Sequence, residues 1–334
     1  MENLCKLCYE IPKAELHIHI EGTFEPALMF KIAERNGIKL PYSSIEDLKS
    51  KYKYNNLQEF LDIYYSGCSV LITEEDFSDL AFDYVNHACT QGLKYAEIFF
   101  DPQSHLPRGI SFSTLINGLK KGLDKGKEKY GFEYNLIMCF LRHLSEEEAI
   151  ATFNIALPFK KYFIAVGLDS SEVGNPPQKF AKVFEMAKKE GIRCVAHAGE
   201  EGPAKYIEDA IDILGIERID HGVHIMDDEK LVERVAKAQI PLTLCPLSNQ
   251  KLQVCPDLSK YKLREMITKG LLVMINSDDP SFFGGYIGDN YKALYDNLKL
   301  TKSEIILLAK NSFFSTFLKE EIKNKYIEEV KKYE

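Results

Sequence analysis

Short apolar runs rich in β-branched and aromatic residues alternate with longer amphipathic stretches along the chain. The pattern predicts eight β-strands, at residues 14–21, 95–101, 135–142, 163–169, 193–199, 218–221, 241–246 and 271–277. The last of these is almost continuously apolar, as is typical of a parallel strand that is buried on both faces. Helical patterns lie between the strands, and many of them end at a glycine, which suits a helix stop.

Eight strands that alternate with helices are the count of a TIM (β/α)8 barrel, and the chain is predicted to form one such α/β domain over residues 1–334. A doubly wound open sheet is the alternative. That fold normally carries a glycine-rich phosphate loop after strand one, where this chain has His-Ile-His instead. A helical tail is predicted at about 302–334, where the sequence becomes highly charged towards its end.

The connection after strand one is unusually long and predicts a helical insertion at about 24–90. Within it, residues 57–65 have apolar positions at helical spacing. They predict either a simply packed helix or a helix with one edge at the mouth of a pocket. Long insertions after a barrel strand often cover the site.

The composition narrows the partners and the compartment. The 334 residues carry 42 basic and 50 acidic side chains, a formal net charge of −8, which disfavours nucleic acid as a partner. No apolar run approaches the roughly 20 residues of a membrane span, and we expect no secretory signal. Eight cysteines are scattered through the chain, as expected of thiols in a reducing cytoplasm. We therefore expect a cytoplasmic protein that acts on a small molecule; the sequence leaves the oligomeric state open.

Polar side chains that suit a metal ion stand at the ends of several predicted strands. His17 and His19 lie on strand one, and the alternation of side chains along a strand places both on one face. TIM barrels keep their active sites at the carboxyl ends of the strands, so distant strand ends meet there. The predicted ligands of one ion are His17, His19, His197 and Asp278, from strands one, five and eight.

A second ion is not expected, because strand four contains no lysine that would bridge two metals after carbamylation. The alternative is that these histidines and aspartates are simply buried and hydrogen-bonded to backbone. That alternative does not explain why they gather at equivalent strand ends.

Hydrolysis at such an ion needs a base and an acid as well. A zinc-bound water has a pKa near roughly 7 and becomes a nucleophile at neutral pH. His221, at the end of strand six, suits the base that holds this water, and Glu200 suits the acid. Asp279 is a candidate hydrogen-bonding partner for a ring nitrogen of the substrate. If strand eight stays regular, Asp278 and Asp279 point to opposite faces, which predicts different roles for them.

The same residues resemble those of the adenosine and adenine deaminase family of the amidohydrolase superfamily. The resemblance runs from about residue 12 to about residue 310 and depends on several motifs in order. They are His17-x-His19 with Glu21-Gly22, Ser170-Ser171-Glu172-Val173-Gly174, His197-Ala198-Gly199-Glu200, Asp220-His221-Gly222, Cys245-Pro246-Leu247-Ser248-Asn249 and Ser277-Asp278-Asp279-Pro280.

The resemblance implies a reaction and a role for each residue. One zinc ion would be bound by the four predicted ligands, and water would attack C6 of a 6-aminopurine. His221 would orient and deprotonate the water, and Glu200 would protonate N1. Asp279 would bond N7, and the backbone around Gly174 would meet N3. Asn175 departs from the family pattern, which favours His at that position.

The substrate expected from the resemblance is adenine. Relatives that act on the nucleoside carry Asp at the position of Glu21, where it meets the ribose. The longer Glu21, with Phe282 or Phe283, would close the pocket over N9 and favour the adenine-specific branch, which converts adenine to hypoxanthine and ammonia in purine salvage. The alternatives are a deaminase of adenosine or of another N6- or N9-substituted aminopurine, and a catalytically silent barrel that binds a purine.

Overall fold

Eight parallel strands, paired in chain order, form the centre of the molecule. The computed structural model describes residues 4–54 and 57–334. The strands are β1 Lys13–Glu15, β2 Leu93–Phe100, β3 Glu133–Leu141, β4 Ala165–Asp169, β5 Arg193–Ala198, β6 Arg218–His221, β7 Leu242–Leu244 and β8 Val273–Ile275. Each predicted strand is present, and the TIM-barrel prediction is confirmed.

Helices surround this barrel. They are α1 Leu4–Glu10, α2 Pro26–Arg35, α3 Ile45–Ser50, α4 Leu57–Cys68, α5 Glu74–Cys89, α6 Phe112–Tyr130, α7 Glu146–Ala156, α8 Ala181–Lys189, α9 Ala204–Asp209, α10 Glu229–Ala238, α11 Pro246–Lys251, α12 Leu263–Thr268, α13 Pro280–Phe283, α14 Ile287–Leu298, α15 Lys302–Phe314 and α16 Glu320–Lys331. Four of them, α2 to α5, occupy the long connection between β1 and β2. No helix in the described ranges is long and apolar enough to cross a bilayer.

Local sequence signals fix where several helices begin and end. A capping box starts α5, where the Thr73 side chain accepts from the backbone N–H of Asp76 and the Asp76 carboxylate accepts from that of Thr73. The same device, built from Ser145 and Glu148, starts α7. Helix α6 ends at Gly131, whose φ of 66° is left-handed. These caps hold the helices in register with the strands that they connect.

The barrel closes between its first and last strands without regular strand pairing. β1 is regular only through Glu15, although its predicted strand runs to residue 21. Beyond it, isolated bridges join Ile18 to Asp278 and His19 to Phe99. The N–H of His19 donates to the Asp278 carbonyl at 3.0 Å, so the seam runs directly through the predicted site.

The interior near the amino-terminal end of the barrel is filled by a buried ion pair. Arg218, at the start of β6, donates to Glu97 of β2 at 2.5 Å, and both side chains are fully buried. Arg218 also donates to the Leu16 carbonyl, and its guanidinium packs over the ring of Phe317. Because this end is filled, the carboxyl ends of the strands are left to form a cavity.

Candidate active site

A cavity opens at the carboxyl ends of the strands. Its floor carries the predicted metal and acid–base residues, and its roof is one edge of α4. The roof side chains are Leu57, Phe60, Leu61, Tyr64 and Tyr65, joined by Leu252 and Phe283. Helix α4 therefore lines the pocket, which is one of the two arrangements that its sequence allows.

The predicted metal ligands converge on one point of the floor. Donor atoms of His17, His197, His221 and Asp278 lie within 4.8 Å of one another. His17 Nε2 is 3.2 Å from Asp278 Oδ1, and His19 Nε2 is 3.5 Å from the same oxygen. His19 Nε2 also lies 3.1 Å from His197 Nε2. Three predicted ligands thus form one compact group with His221, and the fourth, His19, contacts this group through Asp278 and His197.

Neighbouring polar groups orient the His17 ring. The Thr243 hydroxyl donates to Asp220 Oδ1 at 3.1 Å, so its oxygen accepts from His17 Nδ1 at 2.8 Å. This bond places the proton on Nδ1 and leaves Nε2 with a free lone pair that faces Asp278. A carboxylate or hydroxyl that holds the outer nitrogen of an imidazole in this way is the usual support for a metal ligand.

Burial favours the neutral form of three of these histidines, His19, His197 and His221. Burial lowers the pKa of His19 to about 4 and that of His221 to about 3, and it holds the pKa of His197 well below its ordinary value. Neutral imidazole is the form that binds a metal ion. The fully buried Nε2 of His17 has no hydrogen-bond partner among the described residues. This buried His/Asp group therefore fits a divalent cation.

The predicted base and acid face each other beside the metal ligands. His221 Nε2 lies 3.5 Å from Glu200 Oε2. Burial raises the pKa of Glu200 well above its ordinary value, and the charges of Asp278 and Glu172 raise it further. A carboxyl group that stays protonated at neutral pH can donate a proton. The geometry therefore agrees with an acid role for Glu200.

A residue that the sequence analysis left without a role holds the loop of Glu200 in place. The carboxylate of Glu172 is fully buried and accepts from four successive backbone N–H groups of the loop after β5. They belong to Gly199, Glu200, Glu201 and Gly202, at 2.7, 2.9, 3.0 and 2.8 Å. The Ser-Ser-Glu motif contained this residue, but no spacing rule indicates that its carboxylate binds another loop.

Both aspartates of the Asp278-Asp279 pair line the cavity, whereas a regular strand would point them to opposite faces. β8 ends at Ile275, and Asp278 has a left-handed φ of 64°, so regular alternation does not continue to this pair. Burial and the adjacent Asp278 raise the pKa of Asp279 well above its ordinary value. A Cβ added to Gly22 would lie 1.9 Å from Asp279 Oδ1, so the glycine leaves the space that this carboxyl occupies.

Two residues predicted to bind substrate lie elsewhere. Of the residues that the structure describes, those lining the cavity do not include Glu21 or Gly174. Glu21 lies behind the wall, where its Oε1 accepts from the Asp101 N–H at 3.2 Å and from His105 Nε2 at 3.0 Å. Gly174 is exposed, with a left-handed φ of 79°. Their direct contacts with a purine stay predictions.

Further polar residues line the cavity without having been predicted as site residues, and three of them are Asp101, Asp169 and Tyr64. Asp101 follows β2, Asp169 ends β4, and Tyr64 belongs to α4. Burial raises the pKa of Asp169 to about 7, and burial together with the Asp169 charge raises that of Asp101 well above its ordinary value. Position at a strand end was a usable signal for the two aspartates; Tyr64 offered no signal beyond its helical spacing.

The chain is similar to known deaminases over almost its whole length. The family model described as adenosine deaminase matches residues 12–333. An adenine deaminase of Cupriavidus pinatubonensis is 53% identical over 96% of this chain and 91% of its own, and one of Acinetobacter baylyi is 53% identical over 98% and 99%. The crystal structure of an adenine deaminase from Arthrobacter aurescens matches with a TM-score of 0.95 at 46% identity, over 97% of this chain and 99% of that one.

Proposed function

Because this chain belongs to the adenosine deaminase family, we propose that it hydrolyses adenine to hypoxanthine and ammonia. The family predicted from the ordered motifs is thereby confirmed. The observation that carries the proposal is the placement of two carboxyl groups, Glu200 and Asp279, whose pKa burial raises, in one cavity with the metal-binding group. They match N1 and N7, the two ring nitrogens that lie on either side of the C6 amino group of a 6-aminopurine.

The protein's own groups account for the proton transfers. His221, neutral at pH 7, takes one proton from the attacking water as its oxygen bonds to C6. Glu200 gives its proton to N1, which removes the aromaticity of the ring. His221 then passes its proton to the amino group, the C6–N bond breaks, and the C6 hydroxyl proton returns to Glu200. Asp279 donates to N7 throughout. Adenine and water are thus converted to hypoxanthine and ammonia with the side chains restored.

One zinc ion per chain is the proposed cofactor, held by His17, His19, His197 and Asp278. When bound, it supplies the charge that makes a water acidic near neutral pH. The support is the donor set, which combines neutral imidazoles with one carboxylate, as catalytic zinc sites do. The buried Nε2 of His17, which has no hydrogen-bond partner among the described residues, also supports a bound cation.

We place this activity in purine salvage, in the cytoplasm, with a small aminopurine as the sole proposed partner. All eight cysteines are free thiols, and five of them are buried, which agrees with a reducing compartment.

The test is an ultraviolet assay of the zinc-loaded protein with adenine and adenosine in parallel, with ammonia measured at the end. Adenine alone is expected to be converted. The Glu200→Gln variant is expected to lose the activity, whereas Glu201→Gln, changed one residue further along the same loop, is expected to keep it. Conversion of adenosine alone would overturn the substrate, and inactivity towards both would favour the silent barrel.

A further inference from the structure

One wall of the cavity carries buried polar atoms with nothing to bond. Asp101 Oδ1, both carboxylate oxygens of Asp169 and the Tyr64 hydroxyl have no hydrogen-bond partner in the described part of the chain. The three residues are 2, 2 and 3% exposed and all line the cavity. Asp169 has its nearest polar neighbours in His19, whose Nδ1 lies 3.5 Å from Oδ2, and in the Asp101 and Cys139 side chains, whose hydrogen-bonding groups lower its pKa. Buried polar groups are rarely left unsatisfied, so this wall calls for a ligand with matching groups.

The position of this wall in the barrel indicates which part of a purine it meets. Glu200 and Asp279 follow β5 and β8, beside the metal-binding group, and are assigned to the two sides of C6. The edge of the ring opposite C6 carries N3 and N9 and points away from these groups. The ends of β2 and β4, which carry Asp101 and Asp169, lie in the strand order on the side of the barrel away from β6 and β7, next to His19, and the roof residue Tyr64 lines the same cavity.

We propose that Tyr64 and the Asp101–Asp169 pair form a subsite for the N3/N9 edge of a free purine base. The Tyr64 hydroxyl donates to N3, in place of the backbone around Gly174 that the resemblance implied, and the carboxyl pair accepts from N9–H. The assignment builds on the proposed function and identifies what selects the base over the nucleoside. An N9-substituted purine has no N9–H to donate and leaves buried acceptors unpaired, which binding sites of this kind reject strongly.

The contacts behind Asp101 hold it in this position. Arg108 donates to His105 Nδ1 at 2.7 Å, so His105 donates from Nε2 to Glu21, and Glu21 in turn accepts the Asp101 N–H. The resemblance implied that Glu21 closes the pocket over N9. In the structure Glu21 lies behind the cavity wall. It accepts the Asp101 N–H and so fixes the backbone of Asp101, the residue that faces the ring.

The neighbouring Tyr65 supplies a matched control. It lies on the same helix and lines the same cavity, but its hydroxyl is already bonded to Ser170 Oγ at 3.1 Å. A Tyr→Phe change therefore removes a free donor at position 64 and a satisfied one at position 65.

Calorimetric titration of the zinc-loaded full chain tests the subsite without requiring turnover. The ligands are hypoxanthine, 3-deazahypoxanthine, which lacks N3, and 9-methylhypoxanthine, which lacks N9–H. The unsubstituted protein is expected to bind hypoxanthine at least about tenfold more tightly than either analogue. Tyr64→Phe is expected to erase the preference over the 3-deaza analogue, and Tyr65→Phe to keep it. Asp101→Asn is expected to erase the preference over the 9-methyl analogue.

Two results would overturn the subsite. One is an equal loss of affinity for hypoxanthine and its 3-deaza analogue in Tyr64→Phe, which is the behaviour of a merely structural residue. The other is full discrimination against the 9-methyl analogue in Asp101→Asn. Thermal unfolding and zinc content are measured on each variant, and if Asp101→Asn does not fold, the tyrosine pair decides. Adenine turnover is followed separately: turnover without the expected discrimination refutes the subsite alone, whereas discrimination without turnover refutes the proposed function alone.

Discussion

The buried carboxylate of Glu172 binds the backbone N–H of Glu200 at 2.9 Å, so one glutamate fixes the loop that carries the other. The Glu172 carboxylate also packs closely against the loop backbone, because a Cβ added to Gly202 would lie 2.7 Å from its carboxylate carbon. The same charge also contributes to the raised pKa of Glu200, after burial and Asp278. Glu172 is thus a positioning residue that acts on Glu200 through both geometry and charge.

Glu172→Gln is expected to lower kcat/KM for adenine about 10²-fold, chiefly through kcat. An amide presents N–H groups to a loop that itself offers only donors, so the loop shifts, and a displacement of about 1 Å at a catalytic group has an effect of this size. Steady-state kinetics with zinc content measured in parallel checks it. Glu201→Gln is the control, because that carboxylate accepts none of the loop N–H groups. Equal losses in both variants would contradict the assignment.

The pH profile of kcat/KM is expected to be limited on its alkaline side by Glu200. The acid must be protonated, so activity is present below its raised pKa and is lost as the pH rises through that value. No loss is expected around pH 6.5, where an ordinary histidine titrates, because the pKa of His221 is lowered to about 3. Removing the Glu172 charge in Glu172→Gln is expected to move the alkaline limb to lower pH. A limb that does not move would argue against electrostatic coupling of the two glutamates.

Thr243→Val is expected to weaken zinc binding about 10- to 100-fold with little effect on the fold. The change keeps the shape of the side chain but removes the hydroxyl that orients His17 and joins it to Asp220. Competition with a metal-buffering chelator measures the affinity. Thr152→Val in α7 is the matched control, since its hydroxyl bonds only to the Glu148 carbonyl. An unchanged zinc affinity in Thr243→Val would show that the ring needs no such support.

Gly22→Ala is expected to abolish most activity and to destabilise the fold by about 1–3 kcal/mol. The new methyl group would occupy the place of the Asp279 carboxyl, which must then leave its position against the substrate. Adenine kinetics and thermal unfolding check both effects. In Gly67→Ala the added carbon meets only the flexible end of the Met29 side chain, so this control is expected to be nearly silent. Normal activity in Gly22→Ala would contradict the role given to Asp279.

The parts of the site that the sequence predicted are those that follow from the period of a strand and the topology of a barrel. His17 and His19 needed only the two-residue alternation, and His197 and Asp278 needed only the rule that parallel strands end on one face. These rules place side chains without knowledge of loop paths, which is why the sequence could predict that these residues come close together.

The parts that the sequence did not predict depend on where a loop backbone turns. Glu172 binds four N–H groups that a different chain path would aim elsewhere, and the left-handed φ of Asp278 depends on the path of the chain after β8. Glu21 shows the same limit. Its extra methylene was expected over the ring, but the position of His105, fixed by a distant loop, draws the carboxylate behind the wall.

The seam between the first and last strands also sets the order of events during synthesis. His17 emerges early, yet its partner Asp278 follows only after seven further strands, and the two segments are joined by backbone hydrogen bonds at that seam. A ribosome-bound chain that stops short of the eighth strand therefore holds three imidazoles without their carboxylate. We therefore expect the buried His/Asp group to be complete, and able to hold a cation, only in chains whose barrel has closed.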